Sequence, residues 1–439
     1  MPRKATHAPL NVYLNNRLVG QLNKQPSGAT KFIYDGNWLN WEHAFPISLS
    51  LPLREDAYRG EPVVAVFDNL LPDSDLLRRR VAEKVGARGT DAYSLLAAIG
   101  RDCVGALQFI PDENPPNTDS TKIEGEPVSE IEIENILKNL AQAPLGLQQD
   151  DDFRISVAGA QEKTAFLRHE GKWLKPKGTT PTTHLFKTQI GHLPEGIDLT
   201  NSVENEFYCL QLFKAFDLPV NNAEIKTFGK TKALVIERFD RRWTKDGRLL
   251  RLPQEDCCQS LSILPTMKYQ NQGGPGIVEI LKFLRGSDTP ADDQSRFFKA
   301  QILFWLIGAT DGHAKNFSVF LRPGGSYSLT PFYDVLTTQP CLDANQIMRR
   351  QMKLAMFVGN SRHYRIDQIY ARHFIQTSDS AGLPREVIQD ILEQLIETAP
   401  NAISKLENTL PDDFPNEIHT SVEKAMKQRL DSLKLPTGM

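Results

Sequence analysis

The stretch "GATDGHAKNFSVF", residues 308–320, places an acid, a histidine and an amide directly after an apolar segment. The segment before it, "RFFKAQILFWLI", repeats apolar residues at helical spacing, and Gly308 is suited to end that helix. The alternation that follows, "FSVFL", is typical of a strand. Asp311, His313 and Asn316 are therefore predicted to lie in a loop between a buried helix and a strand.

The chain continues from this loop through a Gly-Gly turn to "YSLTPFYDV", a second predicted strand that ends at Asp334. Phosphoryl transfer needs such a set, because one carboxylate orients or deprotonates the attacking hydroxyl while an amide and a second carboxylate hold Mg²⁺. We predict Asp311 as the base and Asn316 and Asp334 as the metal ligands. The alternative is that all three are ordinary turn and strand-end residues, since Asp, Asn and Gly dominate turns.

Composition describes an ordinary globular protein with two or three domains: 439 residues, 40% hydrophobic and 24% charged. The net charge of -3 gives no global attraction to nucleic acid, so any such binding needs a local patch. The sequence has no run of about 18 apolar residues and no secretory h-region, which predicts a cytoplasmic protein without a membrane segment. Five scattered cysteines without a C-x-x-C pair indicate reduced thiols rather than a zinc site or disulfides.

The N-terminal region begins with a hairpin pattern. "NVYLNNRLVGQL" has two alternating runs around Asn15, a residue type that tolerates positive φ. Further on, "NLLPDSDLLRRRVAEKVG" reads as a helix capped by Asp73 or Ser74 and ended by Gly86. Its triple arginine, 78–80, is interpreted as a solvated helix face rather than a polyanion site.

Residues 111–127, "PDENPPNTDSTKIEGEP", have almost nothing to bury and are predicted to be a surface linker. From about residue 150 the order becomes strand, helix, strand: "TTHLFKTQI", "NSVENEFYCLQLFKAFDL" and "KALVIERFD". Asn201 and Glu204 match a capping box at the start of the helix. Lys187 lies on the first strand, where protein kinases carry a phosphate-binding lysine, although a strand lysine is more commonly solvated.

Two further segments suit a nucleotide. "SVAGAQEKTAF" has small residues that allow backbone amides to approach phosphate oxygens, but it lacks the spacing of a Walker loop. The strand "ALVIE" runs into "RFDRR" like a hinge that receives adenine, with Glu237 and Phe239 at its edge. The alternative for "RFDRR" is a solvated charged turn. Glu206, or else Glu204, is a candidate partner for Lys187.

These motifs together resemble one family. "SVAGAQEKTAF", "PTTHLFK", "ERFDRR", "LPQEDCCQ", "GATDGHAKNFSVF" and "LTPFYDV", in this order and with "FDNLLPD" near the N-terminus, closely resemble HipA, the serine/threonine kinase toxins of bacterial HipBA toxin-antitoxin modules. The resemblance implies an α+β, bilobal, protein-kinase-like fold related to phosphatidylinositol kinases. It implies an N-terminal module of small sheets (1–110), a linker and helix (111–150), an ATP-binding lobe (151–240) and a mainly helical catalytic lobe (241–439).

The resemblance also assigns roles, with ATP and Mg²⁺ as the cofactors. It implies Asp311 as the catalytic base and Asn316 and Asp334 as magnesium ligands. The implied nucleotide-binding residues are Ala158, Gly159, Ala160, Gln161, Lys187, Glu237, Phe239, Gln254, His313 and Tyr333. Ser156 matches a serine that such kinases phosphorylate on themselves, and its added charge would repel the phosphates of ATP and expel the loop.

The family implies a HipB-like helix-turn-helix antitoxin as inhibitor and corepressor, growth arrest and persistence as the outcome, and glutamyl-tRNA synthetase as the protein substrate. Family members can touch operator DNA through basic residues after a motif like "IYARHF", but "IQTSDSAGL" follows here. DNA association is therefore predicted to run mainly through the antitoxin, and Arg349, Arg350 and Arg372 are interpreted as surface charges.

Two other functions compete with this hypothesis. A small-molecule or lipid kinase would use a similar loop and a similar pair of aspartates. A non-catalytic corepressor would keep the fold and lose the chemistry. The sequence argues against the corepressor, because Asp311, Asn316, Asp334 and Lys187 are all present.

Overall fold

The computed structural model describes residues 7–111, 122–147, 153–159 and 161–434. The predicted site residue Ala160 and most of the predicted linker lie outside these ranges. The chain divides into two compact units. The first comprises Met1–Thr188, Lys226–Thr266 and Ser318–Tyr327, and the second comprises Gln189–Ile225, Met267–Phe317 and Ser328–Met439. The division into four predicted domains stays a prediction.

The strands of the described chain are short and follow one another as β1 (Leu10–Leu14), β2 (Arg17–Lys24), β3 (Thr30–Tyr34), β4 (Tyr58–Arg59), β5 (Leu107–Pro111), β6 (Gly125–Pro127), β7 (Lys163–His169), β8 (Lys172–Pro176), β9 (His184–Thr188), β10 (Gly191–His192), β11 (Asp198–Leu199), β12 (Ala223–Phe228), β13 (Thr231–Glu237), β14 (Arg241–Trp243), β15 (Leu249–Arg251), β16 (Gln254–Asp256), β17 (Ser318–Leu321), β18 (Tyr327–Leu329), β19 (Lys353–Val358) and β20 (His363–Arg365).

The α-helices are longest toward the C-terminus and are α1 (Gly36–Leu39), α2 (Glu61–Asp68), α3 (Asp75–Val85), α4 (Ala92–Ile99), α5 (Glu130–Lys138), α6 (Ser202–Ala215), α7 (Cys257–Ser260), α8 (Ile277–Leu284), α9 (Pro290–Ile307), α10 (Gln339–Asp343), α11 (Ala371–Ala381), α12 (Arg385–Glu407) and α13 (Asn416–Asp431).

The first unit begins with an antiparallel sheet in the order β4-β3-β2-β1-β5. The predicted hairpin is confirmed: β1 and β2 pair across a turn in which Asn15 and Asn16 have φ of 46° and 68°. The predicted helix is also confirmed as α3. The Ser74 hydroxyl accepts a hydrogen bond from the backbone N–H of Leu77, and Gly86 ends the helix with φ of 66°.

Arg78 on α3 corrects the interpretation of the triple arginine as a solvated face. Its side chain is buried, with Nε donating to the Pro72 carbonyl at 2.6 Å and Nη1 to Asp68 Oδ1 at 2.7 Å. Arg79 and Arg80 are exposed. Arg78 therefore fixes the "NLLPD" segment instead of facing solvent.

A second sheet of the first unit has the order β12-β13-β9-β7-β8-β6. Helix α5 packs its buried Ile133 and Leu137 into a core cluster with residues from these strands, namely Phe166, Phe186, Phe228 and Val235. The predicted strands that carry Lys187 and the run Ala233–Ile236 are confirmed as β9 and β13. The linker prediction was wrong at its end, because Gly125–Pro127 pairs with β8.

A buried cluster of five charged side chains joins the segments around β9 and β13, and all five belong to the first unit. Asp102 lies within 3.3 Å of the guanidinium groups of Arg238, Arg241 and Arg251. Asp240 binds Arg238 at 2.8 Å and Arg241 at 3.1 Å. Arg238, Asp240 and Arg241 belong to the segment "RFDRR". The alternative of a solvated turn is thus wrong for these three residues.

Backbone and hydroxyl groups complete this ion cluster. Asp102 also accepts hydrogen bonds from Thr182, and the carbonyl of Cys103 accepts from Arg238 and Arg241. Burial alone raises the pKa of the Asp102 and Asp240 carboxyl groups, but the arginine charges outweigh burial and hold both pKa values below the usual range.

The second unit is mainly helical and centres on α9. The apolar residues Phe298, Ile302, Trp305 and Leu306 of the predicted helix are buried, and Trp305 Nε1 donates to the Ile366 carbonyl at 3.0 Å. Gly308 ends α9 with φ of 71°, as predicted. Helix α13 is fastened to this end, because its Arg429 donates to the Leu306 carbonyl at 2.8 Å.

Two sequence predictions in the second unit were wrong in detail. Asn201 makes no capping hydrogen bond; Gln189 Oε1 accepts from the Val203 N–H at 2.8 Å instead, which satisfies the same end of α6. The strand predicted to reach Asp334 ends at Leu329. Pro331 follows, and a proline has no N–H to continue a ladder.

All five cysteines are free, which agrees with the predicted reduced thiols, and all five are buried. Within the described ranges, the helices are all too short or too polar to cross a membrane.

Removing the Asp102 charge tests the ion cluster. Asp102→Asn should lower the free energy of unfolding by about 3–5 kcal/mol, because three buried guanidinium groups lose their shared carboxylate. Urea denaturation at pH 7 measures the loss. Asp246→Asn, which removes the exposed pair with Arg248, is the control and should leave the midpoint unchanged.

The ion cluster also predicts how the stability of the wild type and of Asp102→Asn changes at low pH. A carboxyl group whose pKa is lowered in the folded state adds stability above its unfolded pKa of about 3.9, and that stability is lost as the pH falls. The wild type should therefore lose more stability than Asp102→Asn between about pH 5 and pH 2. Equal acid sensitivity of the two proteins would contradict the assignment.

Candidate active site

The loop after α9 presents its polar residues at different depths. Asp311 is exposed, whereas His313 and Asn316 are buried. The His313 N–H donates to the Asp311 carbonyl at 2.9 Å, and a short 3₁₀ turn over Ala314–Asn316 follows. The loop thus presents a carboxylate to solvent and keeps the amide inside.

Asn316 and Asp334 lie side by side in the second unit. Asn316 Nδ2 is 3.2 Å from the Asp334 carbonyl oxygen and 3.4 Å from its Oδ2. Because the amide nitrogen is used on this side, the Asn316 Oδ1 is left as an acceptor, and it is buried with no hydrogen-bond partner among the described residues. Asp334 has φ of 59°, a strained left-handed conformation that is common at functional sites.

This pair fits Mg²⁺. An amide oxygen and a carboxylate are ligands that Mg²⁺ prefers, and the ion usually takes only one or two carboxylates from the protein beside phosphate and water oxygens. A buried, unsatisfied amide oxygen costs free energy unless a donor or cation meets it. The described residues contain no group of three His, Cys, Asp or Glu side chains that could hold a metal by themselves. The donor set therefore fits a metal shared with a phosphate ligand.

Tyr269 contacts the predicted base and was missed in the sequence. Its hydroxyl donates to Asp311 Oδ1 at 2.5 Å, and its ring packs edge-on against His313 with 4.9 Å between centroids. The segment "TMKYQNQGG" carries no motif that would single out this tyrosine. Tyr269 thus holds one carboxylate oxygen of the exposed Asp311.

Tyr333 lies against the same loop, with its hydroxyl donating to the Lys315 carbonyl at 3.1 Å. The second unit thus brings together Tyr333 and the predicted set of Asp311, His313, Asn316 and Asp334. The predicted contact of Tyr333 with adenosine stays a prediction.

The small-residue loop of the first unit is tied to the N-terminal segment "NLLPD". Ser156 is fully buried, its N–H donating to the Asp102 carbonyl at 2.9 Å and its hydroxyl to the Leu70 carbonyl at 2.8 Å. Gly159 forms a bridge with Pro72 at φ of 106°, a value that favours glycine. Gln161 Nε2 donates to the Thr188 carbonyl at 2.8 Å, which connects the loop to the end of β9.

Lys163 and Lys187 are direct neighbours on the antiparallel strands β7 and β9, and both are buried. Two lysines at directly opposite positions bring two positive charges together at this point of the sheet, which is the kind of charge that binds phosphate oxygens. Lys163 Nζ also donates to the Ala158 carbonyl at 2.9 Å. Lys163 was missed in the sequence, because only the strand register places it beside Lys187.

The predicted hinge residue Phe239 packs against a second aromatic ring. Phe239 packs edge-on against Phe320 with 5.6 Å between centroids, and Gln254 is paired with Phe320 across β16 and β17. Gln254 Oε1 is buried without a hydrogen-bond partner in the described part of the chain. Phe320 was missed in the sequence.

The register of β9 and β13 gives the distance between the predicted hinge and the lysine pair. Lys187 is opposite Leu234, and Glu237 lies three residues farther along β13. At the usual rise per residue this separation is about 10 Å. The arrangement fits a nucleotide whose base lies at the hinge and whose phosphates lie at the lysines.

The comparisons with known proteins identify the family and the enzyme class of this chain. Residues 155–403 match the HipA-like C-terminal domain, and residues 10–110 match the HipA N-terminal domain. The chain belongs to the HipA family of serine/threonine-protein kinase toxins, which confirms the predicted family and enzyme class.

Similar proteins extend over nearly the whole chain. It is 30% identical over 404 residues to a Sinorhizobium fredii protein named "Putative kinase Y4mE", covering 91% of this chain and 92% of that protein. It is 29% identical over 416 residues to the serine/threonine-protein kinase toxin HipA of Shewanella oneidensis, covering 92% and 90%.

A solved structure has the same fold. The Shewanella oneidensis MR-1 complex of HipA, HipB and operator DNA matches with a TM-score of 0.79 at 24% identity, covering 97% of this chain and 98% of that chain. This likeness confirms the predicted α+β fold. The roles of the individual site residues stay predictions.

Replacing Lys163 tests the lysine pair. Lys163→Met keeps the apolar stem and removes the charge, so the affinity for ATP should fall roughly tenfold or more, as expected for the loss of a charge-assisted hydrogen bond. Titration with a fluorescent ATP analogue measures it. Lys172→Met, at the exposed start of β8, is the control. Unchanged affinity in Lys163→Met would mean that Lys163 only supports the Ala158 carbonyl.

Proposed function

We propose that this protein is an ATP-dependent serine/threonine kinase that acts as the toxin of a type II toxin-antitoxin module in the cytoplasm. The observation that carries the chemistry is the arrangement in the second unit. The loop after α9 carries both the exposed Asp311 and Asn316, and Asn316 lies beside the Asp334 carboxylate with its amide oxygen unpaired among the described residues. This set supplies two metal ligands and a base, which are the groups that phosphoryl transfer requires.

Each residue then has a role in the transfer. Asp311 orients the acceptor hydroxyl of a protein and takes its proton through the oxygen that Tyr269 leaves available. Asn316 and Asp334 hold Mg²⁺, which, when bound, neutralises charge on the transferred phosphate. His313, which is buried beside Tyr269, contacts the terminal phosphate in this proposal.

The first unit supplies nucleotide recognition in this proposal. Lys163 and Lys187 bind phosphate oxygens, together with the backbone of the loop that contains Ala158, Gly159 and Gln161. The rings of Phe239 and Phe320 contact adenine, and the unsatisfied Gln254 Oε1 accepts a hydrogen bond from it. Glu237 stands at the exposed edge of the hinge.

Ser156 provides self-inactivation. Its hydroxyl is buried against the Leu70 carbonyl, and a phosphoserine with a charge of about -1.5 to -2 would not fit that position. Phosphorylation therefore requires the loop to leave Leu70 and Asp102, and the modified loop does not return. The kinase loses its phosphate-binding loop as a consequence.

The remaining elements of the proposal rest on the family. We propose a HipB-like antitoxin as inhibitor, with this chain as its corepressor and operator DNA bound mainly through that partner. We propose glutamyl-tRNA synthetase as the protein substrate, and growth arrest and persistence as the consequence. Purified synthetase incubated with the kinase and Mg²⁺-ATP tests the substrate directly by its gain in mass.

Asp311→Asn tests the catalytic assignment. Transfer should fall by about 10²–10⁴-fold, because a carboxamide does not accept the hydroxyl proton, whereas ATP affinity should not change. Intact mass after incubation with Mg²⁺ and ATP, followed by peptide mapping, measures the phosphate gained. Asp390→Asn, at an exposed position of α12, is the control. Phosphate gained equally by wild type and Asp311→Asn would refute the assignment.

Two substitutions of Ser156 test the inactivation. Ser156→Ala should remove self-phosphorylation, keep transfer to an external protein and cost about 1 kcal/mol for the lost hydrogen bond. Ser156→Asp should abolish transfer, and hydrogen exchange should show lost protection in residues 153–159. Ser380→Asp, on the exposed side of α11, controls for added charge. Full activity of Ser156→Asp would contradict the proposal.

A further inference from the structure

A pocket of about 670 Å³ lies in the second unit beside the loop that carries Asp311. Its lining comes from the segment after Thr266, from the loop after α9 and from the β19–β20 hairpin. The lining residues include Tyr269, Thr310, Lys353, Arg362, Tyr364 and Arg365. Thr310 directly precedes Asp311, and Tyr269 donates its hydroxyl to the Asp311 carboxylate at 2.5 Å. The pocket therefore adjoins the group that we propose to receive a substrate hydroxyl.

The lining carries positive charge that the protein does not neutralise. Lys353 Nζ makes no hydrogen bond or ion pair within the described residues, and the Arg362 guanidinium lies over the Phe357 ring at 5.6 Å without an acidic partner there. Arg365 is paired with Asp367 at 2.7 Å. Two positive charges thus remain uncompensated at this pocket.

The strand register concentrates this charge. Lys353 is directly opposite Arg365 in the antiparallel pair β19–β20. Like charges at opposite positions destabilise a hairpin, and Asp367 offsets only the arginine. A bound anion would relieve the remaining repulsion, and the surrounding chain, with a net charge of -3, does not attract anions as a whole.

We propose that this pocket binds an acidic segment of the protein substrate, next to the serine or threonine that is phosphorylated. The inference rests on the proposed kinase function and adds the class of sequence that the kinase selects. Lys353 and Arg362 would pair with Asp or Glu side chains of the substrate, while the acceptor hydroxyl reaches Asp311 past Thr310 and Tyr269.

The lining and the volume of the pocket favour a peptide over nucleic acid. The buried Leu354 and Ala355 form an apolar part of its lining, and Asn271 and Gln368 offer amide groups for a peptide backbone. A volume of about 670 Å³ holds a few residues of an extended chain. Nucleic acid needs a longer positive track with stacking platforms.

Peptide binding without ATP tests the proposal by fluorescence anisotropy. The probes are a labelled twelve-residue peptide with a central serine flanked by glutamates, and the same peptide with glutamines. The glutamate peptide should bind about three- to tenfold more tightly, as expected for two partly exposed ion pairs. Lys353→Gln with Arg362→Gln should remove the preference, and Lys353→Glu with Arg362→Glu should reverse it toward a lysine peptide.

Controls separate this proposal from its alternatives. Lys405→Gln with Lys424→Gln changes net charge equally at exposed positions of α12 and α13 and should keep the preference. Equal binding of the two peptides by wild type would overturn the proposal. A single-stranded oligonucleotide of equal charge provides a second test. The proposal would also be overturned if this oligonucleotide bound more tightly than the glutamate peptide and lost affinity for the variant with Lys353→Gln and Arg362→Gln.

A transfer measurement distinguishes failure of the pocket from failure of the kinase function. With Mg²⁺-ATP, the glutamate peptide should have a lower KM than the glutamine peptide at similar kcat, and the pocket variants should raise that KM while the KM for ATP stays constant. Glutamate preference in binding without transfer to any protein or peptide would support the pocket and refute the proposed kinase function. Transfer with equal KM for both peptides would refute the pocket alone.

Discussion

Asp102 accepts hydrogen bonds from three buried arginine side chains, and the first unit depends on this contact. The residues it joins come from separate parts of the chain: Thr182 before β9, Arg238 and Arg241 after β13, and Arg251 at the end of β15. The backbone carbonyl of the same residue receives the Ser156 N–H. Burying these charges is costly unless every one is paired, so the cluster tolerates few alternative arrangements. It thereby fixes the loop that contains Ser156 and the segment that follows β13 relative to one another.

In the second unit, a few contacts in the loop after α9 orient several polar residues at once. Gly308 ends the helix, a 3₁₀ turn buries Asn316, and the Asn316 amide nitrogen is directed at Asp334. Because the nitrogen is engaged, the amide oxygen is left as a buried acceptor. The strained φ of Asp334 and the contact of Tyr269 with Asp311 belong to the same arrangement. Residues of ordinary turn type thus acquire a geometry that suits a metal and a proton acceptor.

Much of the fold could be predicted because its signals are local. The Asn15 hairpin, the Ser74 cap and the Gly308 helix end each depend on the conformational preference of one or two residues. The failures involve partners that lie outside the helix in question. Arg78 has the sequence context of a solvated helix face, but Asp68 and Pro72 bury it. Asn201 has the pattern of a cap, but Gln189 takes that role from outside the helix.

The sequence by itself determined the family, the kinase class and the identity of the main candidate residues, because those follow from motifs whose spacing is fixed along the chain. Only the tertiary structure decided which residues lie beside them. Lys163 meets Lys187 through the register of β7 and β9, Phe320 meets Phe239 through the pairing of β16 and β17, and Tyr269 meets Asp311 across a loop. These contacts join residues far apart in sequence, and the packing of strands and loops, rather than any local preference, brings them together.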